Sequence, residues 1–287
     1  MFEYNRVKRI NLDDASDFML ERFPGCENVD VVVQFGSGQT SIELLDECWA
    51  RFPLQELPHI PNAESVLGHK LEVQWGRLGD LKVMVFAGRY HLYEGLGVVP
   101  CVLPIWTACN CGARNFVFSS AAGSINRHLG DGGLMLMTDY INNLGISPLV
   151  GHQHLIQSPF IDMSEPYDAD LLESFVKAAG RADVPISKGV YMANLGPEYE
   201  TASELEMAKT MGADVVGTSI VLETIAARAM GARVLGVAMI KNYAYALRHK
   251  TPYDTQAAGK IFRGKLSTVL NRWLRHEAPP VLTGKDD

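Results

Sequence analysis

Eight short strand-like runs, separated by amphipathic helical runs, constrain this chain more than any other feature. The strand-like runs are Asp30–Phe35, Leu71–Trp75, Lys82–Ala87, Asn115–Ser119, Gly133–Thr138, Gly189–Met192, Ala213–Gly217 and Val234–Ile240. Between them, Ser41–Trp49, Pro166–Gly180, Thr201–Met211, Val221–Met230 and Thr255–Arg275 place apolar residues at three- and four-residue steps, the period of a helix with one buried face. Gly212 and Gly231 directly follow two of these runs, where a left-handed residue ends a helix. Gly76-Arg77-Leu78-Gly79-Asp80 joins the second and third strands and reads as a hairpin turn. Such alternation predicts an α/β fold: a single domain over residues 1–287, with a central mixed, mostly parallel β-sheet flanked by helices on both faces. The segment Asn142–Met163 is long enough to be a functional excursion.

Charge and cysteine content narrow the function classes. Against 26 Lys and Arg stand 33 Asp and Glu, a formal charge of −7. An acidic chain lacks the positive face that neutralises nucleic-acid phosphates, so no nucleic-acid partner is expected, while a single small anion in a local pocket stays open. The five cysteines (Cys26, Cys48, Cys101, Cys109, Cys111) read as reduced thiols of a cytoplasmic protein. Cys109-Asn110-Cys111 has the wrong spacing for a zinc site, and no metal ligand set is expected. Glu3, Arg6, Lys8 and Arg9 precede no apolar run, so no signal peptide is expected. Gly95–Ala113 carries no charged residue, but Pro100, Pro104, Asn110 and three glycines favour a buried core helix over a membrane span.

In open α/β sheets ligands bind beyond the carboxyl ends of the strands. Four such junctions carry polar or glycine-rich signals. Gly36-Ser37-Gly38 is compatible with an anion site, although such a run after a strand is more often a plain turn; it is neither a Walker loop nor a full dinucleotide fingerprint. Arg89 and His91 share one side of an extended segment, where a guanidinium fork and an imidazole converge on an anion. Tyr93 and Glu94 follow, and Glu94 is placed to hold Arg89. Ala121 lies in the junction Ser120–Ser124. Ser219 opens a helix, where capping and anion binding are compatible roles. Glu200 fits either a ligand contact or a first-turn acidic residue, and Asn242 either a heterocycle contact or a turn.

Taken together, the segments Gly88–Gly95, Gly196–Thr201 with Glu204, and Gly212–Ser219 resemble the trimeric purine nucleoside phosphorylases, with methylthioadenosine phosphorylases as related kin. The likeness runs from about Val31 to Leu274. It implies the nucleoside phosphorylase fold and reversible phosphorolysis of purine nucleosides, 6-oxopurine ribo- and deoxyribonucleosides preferred, to free base and pentose 1-phosphate. Implied phosphate contacts are Ser37, His69, Arg89, His91, Ala121 and Ser219. Implied sugar and base contacts are Tyr93, Tyr191, Thr218, Tyr199, Glu200 and Asn242, with Phe160 supplied by the neighbouring subunit of a homotrimer. His91, Glu200 and Asn242 would carry the catalysis. Inorganic phosphate would be the co-substrate, with no cofactor, no metal and no membrane partner.

Several positions depart from the family pattern. Gln39-Thr40 stands where Leu-Gly is usual, Ser120 where Asn is, Lys241 where Thr is, Thr218 where Met is, and Gln256 where a sugar-contacting His is, although His249 lies nearby. Lys241, if it faces the pocket, couples to Glu200 or the purine oxygen; otherwise it points to solvent. The competing functions are a methylthioadenosine phosphorylase and a catalytically impaired nucleoside-binding homologue.

Overall fold

The computed structural model describes residues 7–36, 39, 42–61, 71–156, 158, 160–245, 263–278 and 282. In chain order the elements are α1 (Arg9–Arg22), β1 (Val31–Phe35), β2 (Glu47–Pro53), β3 (Glu72–Leu78), β4 (Leu81–Ala87), α2 (Val99–Asn110), β5 (Asn115–Ser124), β6 (Leu134–Asn142), α3 (Ala169–Arg181), β7 (Ile186–Ala193), α4 (Ala202–Thr210), β8 (Val215–Gly217), α5 (Val221–Ala229) and β9 (Arg233–Tyr243). A further helix, α6, covers 263–272 and runs into a π-helical turn at Trp273–Glu277.

All nine strands join one mixed sheet in the order β2-β3-β4-β1-β5-β8-β7-β6-β9. β5 also pairs with β9, so β5, β8, β7, β6 and β9 form a closed ring. Parallel pairs are β1–β4, β1–β5, β5–β9, β6–β7 and β7–β8. The antiparallel pairs are β2–β3, β3–β4, β5–β8 and β6–β9. The alternating pleat divides the side chains between two cores. Val32, Met84 and Phe86 pack with Leu12, Met19, Trp106 and Ile225, beneath α1, α2 and α5. Val31, Val33, Val83 and Val85 pack with Leu171, Phe175, Leu270 and Trp273, beneath α3 and α6. Helices therefore cover both faces, as the alternation of runs predicts.

The charge-free segment forms α2, which buries every residue from Val99 to Cys109 against the first core. Among the described residues, no helix is long and apolar enough to cross a membrane. Two local expectations need correction. Ser41–Trp49 is not a helix: 42–45 are irregular and Glu47–Pro53 is an edge strand against β3, where alternate side chains alternate in burial. Pairing with β3 outweighs the helical spacing of the segment. The helix read over Thr255–Arg275 is described only from 263 onward. The sequence reading also missed α1, whose buried Leu12, Ala15, Ser16 and Met19 are masked by an acidic exposed side. The β3–β4 hairpin closes on the two-residue turn Gly79-Asp80, with Gly79 at φ +59, so Gly76, Arg77 and Leu78 of the five-residue connection belong to the ladder.

Candidate active site

A cavity of about 530 Å³ opens at the carboxyl ends of β5, β8 and β9. It collects His91, Tyr93, Ala121, Tyr199, Glu200, Thr218, Ser219, Lys241 and Asn242, residues from widely separated parts of the chain. A second surface cavity of about 560 Å³, bordered by Arg127, Lys209 and Tyr243, contains none of the site residues expected from the sequence. Ser37, His69 and Gln256, and with them Thr40 and His249, lie outside the described residues.

One wall of the cavity is built from the turn after β4. His91 and Tyr93 stack with ring centroids 4.8 Å apart. Glu94 turns back on His91: its Oε1 accepts from the His91 backbone N–H at 2.7 Å and lies 3.2 Å from Nδ1. A carboxylate beside Nδ1 orients the imidazole and favours a proton on that nitrogen. Glu94 thus serves His91, not Arg89. The partner of Arg89 is Glu223 on α5, with Nε 2.9 Å from Oε1. Arg89 also donates from Nη1 to the Ser119 carbonyl at 2.9 Å and from Nη2 to Gln34 Oε1 at 3.1 Å. Its side chain does not line the cavity, and its charge is balanced by that of Glu223. Burial, reinforced by the charge of Glu94, raises the Tyr93 phenol, and Arg89 opposes that rise, so Tyr93 stays a neutral donor and acceptor.

The helix after β8 begins unusually. Ile220 occupies the N-cap position of α5 with φ +71, a conformation that strains a β-branched residue. Ser219 is consequently no helix cap. Its Oγ lies 2.6 Å from Ser120 Oγ, and its backbone N–H donates to the Tyr191 hydroxyl at 3.3 Å. Tyr191 is fully buried and supports the floor from below: a Cβ on Gly217 would stand 2.2 Å from its hydroxyl, so only glycine fits there. Tyr191 therefore does not line the cavity of this chain.

Glu200, Asn242 and Lys241 also line the cavity. Thr201 caps α4 in a reciprocal pair with Glu204, and Glu204 fills the first helical turn. Glu200 precedes the cap, is released from a helix-dipole role, and accepts from Asn194 Nδ2 at 2.8 Å. A β-bulge explains the pair on β9. Ala122 pairs with Ile240 and Gly123 with Asn242, leaving Lys241 as the extra residue of the ladder. Bulges re-aim side chains, and this one brings consecutive residues to the same cavity. Among the described residues Lys241 forms no ion pair. Phe160 is 91% exposed and does not line the cavity of its own chain.

Four supporting residues escaped the sequence reading: Gln34, Asn143, Asn194 and Glu223. Gln34 interrupts the apolar run Val31–Phe35, and Glu223 the buried face of α5; a polar side chain in such a place demands a partner. Gln39 is fully buried, accepts from the Gly36 N–H at 3.2 Å and from Ser119 Oγ, and so ties the end of β1 to β5.

This arrangement agrees with the similarities of the chain. Residues 30–275 match the family model described as the phosphorylase superfamily. The chain belongs to that superfamily. It is 40% identical over 246 residues to the purine nucleoside phosphorylase of Mycobacterium leprae, covering 84% of this chain and 87% of that one. It is 34% identical to purine nucleoside phosphorylase 1 of Geobacillus stearothermophilus, covering 83% and 86%. The crystal structure of the Schistosoma mansoni purine nucleoside phosphorylase in complex with adenosine superimposes with a TM-score of 0.84 at 26% identity, covering 94% of this chain and 98% of that one. The superfamily's sheet and helices thus extend over nearly the whole chain.

Proposed function

We propose that this chain is a purine nucleoside phosphorylase, catalysing reversible phosphorolysis of purine nucleosides to free base and pentose 1-phosphate. One observation carries the reading: a single cavity gathers His91, Ser219 and Ala121 together with Glu200 and Asn242. Breaking a glycosidic bond builds positive charge on the sugar and negative charge on the departing base. The enzyme must hold an anionic nucleophile against the sugar and stabilise the base as it leaves.

The first task falls to His91, the Ser219 hydroxyl and the Ala121 backbone. Tyr93 stands beside His91, placed to border the sugar. The second falls to Asn242, whose amide donates to a ring nitrogen or carbonyl oxygen as it gains charge, while the Glu200 carboxylate accepts from a base N–H. That pairing favours 6-oxopurines. These tasks require inorganic phosphate as co-substrate, with neither cofactor nor metal. We further propose a cytoplasmic homotrimer in which Phe160 closes the sugar end of a neighbour's cavity, a role supported by its exposure.

The test is base release from inosine, guanosine, adenosine and methylthioadenosine, each with and without phosphate. Phosphate-dependent release from the 6-oxopurine nucleosides is the expected result. Release independent of phosphate, or binding without release, overturns the assignment; preference for methylthioadenosine places the chain with that branch instead.

A further inference from the structure

The strand ends beneath Glu200 hold two asparagines that no catalytic task has yet absorbed. Asn143 follows β6 and Asn194 follows β7. Asn143 Nδ2 donates to Asn194 Oδ1 at 2.9 Å, and Asn194 Nδ2 donates to Glu200 Oε1 at 2.8 Å. Both stems are fixed by the backbone: the Asn143 N–H donates to the Ala193 carbonyl at 3.0 Å, and the Asn194 N–H to the Gly217 carbonyl at 2.8 Å. Three successive strands of the ring thus support one line of amides that ends on the carboxylate.

The direction of this line follows from the donors available. A carboxylate only accepts, so the Asn194 NH2 must face Glu200 and its oxygen must face Asn143, which supplies the required N–H. Glu200 forms no ion pair among the described residues, and Asn194 is the side-chain donor recorded on it. It also sits outside α4, ahead of the Thr201 cap, where the helix does not fix its rotamer. Without the asparagine, the carboxylate would sample several rotamers and solvent-facing positions.

We propose that Asn194, aimed by Asn143, is the positioning residue for base recognition: it holds one oxygen of Glu200 and thereby presents the other to the N–H of the purine. This rests on Glu200 being the base contact proposed above. Asn194 acts through Glu200, so its removal affects nucleoside recognition and spares phosphate.

Two variants test the role. Asn194→Leu keeps the approximate size and removes the donor; the expected result is a rise of about tenfold in inosine KM, the scale of one hydrogen bond to a charged group, with phosphate KM unchanged. On a Glu200→Gln background the same substitution should add little, because the carboxylate it positions is gone. Asn194→Asp sets a second carboxylate against Glu200. Like charges at that distance favour one shared proton, so inosine KM should be high at neutral pH and improve on acidification. An unchanged inosine KM in Asn194→Leu overturns the proposal, as does an equal rise on the Glu200→Gln background. Unaltered phosphate KM shows that the variants are folded. Failure of the wild type to release base with phosphate would instead overturn the underlying function, so the two failures are distinguishable.

Discussion

Arg89 Nε lies 2.9 Å from Glu223 Oε1, and the two side chains expose only 1% and 3% of their surface. An ion pair so deeply placed is held by its surroundings: Gln34 and the Ser119 carbonyl take the two terminal nitrogens of the guanidinium. It ties the turn after β4 to α5, which carries Glu223 and begins at the strained Ile220 beside Ser219. Breaking the pair from one side leaves a buried charge uncompensated. Glu223→Ala is therefore expected to lower unfolding free energy by about 3–5 kcal/mol, whereas Arg89→Met with Glu223→Leu recovers most of that loss. Urea unfolding of the two variants beside the wild type checks this, and equal losses in the single and double variants would refute it.

Glu94 orients His91 through both the backbone N–H and the ring. Glu94→Gln keeps the size and removes the charge. The expected outcome is a fall in kcat of about tenfold or more, from loss of one charge-assisted hydrogen bond. Steady-state kinetics at saturating inosine and phosphate measure it; an unaltered kcat would assign Glu94 to the turn alone.

Lys241 reaches the cavity because the β9 bulge makes it the unpaired residue beside Asn242. An ammonium donates and never accepts, so it should favour a carbonyl over an amino group on the base. Lys241→Thr is expected to shift the inosine-to-adenosine ratio of kcat/KM by about threefold to tenfold toward adenosine. A ratio that stays constant across inosine, guanosine, adenosine and xanthosine would remove Lys241 from base selection.

Phe160 is the large apolar side chain most exposed to solvent among the described residues. If a neighbour's sugar site buries it, Phe160→Ala should raise nucleoside KM about tenfold, the value of covering one aromatic side chain. Analytical ultracentrifugation should show a trimer; a monomer with unchanged nucleoside KM would sink the shared-site proposal.

At the sheet's outer edge, Arg275 forks onto the Asp46 carboxylate and holds it down at about 2, helped by the Gly79 N–H. A depressed carboxylate adds stability above its unfolded value, near 3.9, and loses it as pH falls through the folded one. The Tm difference between wild type and Asp46→Asn should be small at neutral pH, because the pair is exposed. It should disappear between about pH 4 and about pH 2. A difference that persists at the acid end would point to packing in place of charge.

By itself the sequence determined what depends on near neighbours: the order of most strands and helices, the glycine stops, the charge-free core helix, and the polar clusters at strand ends. Those signals are local, since side-chain period and turn chemistry act over a few residues. The ring closed by β5 and β9, the edge strand made from a segment with helical spacing, and the exchange of Glu94 for Glu223 beside Arg89 were decided by the tertiary structure. So were the bulge that turns Lys241 toward Asn242 and the asparagine line beneath Glu200. Each depends on register between strands far apart in the chain, and one residue of register reverses which face a side chain meets. A buried acid or amide announces that it needs a partner; only the folded sheet says which.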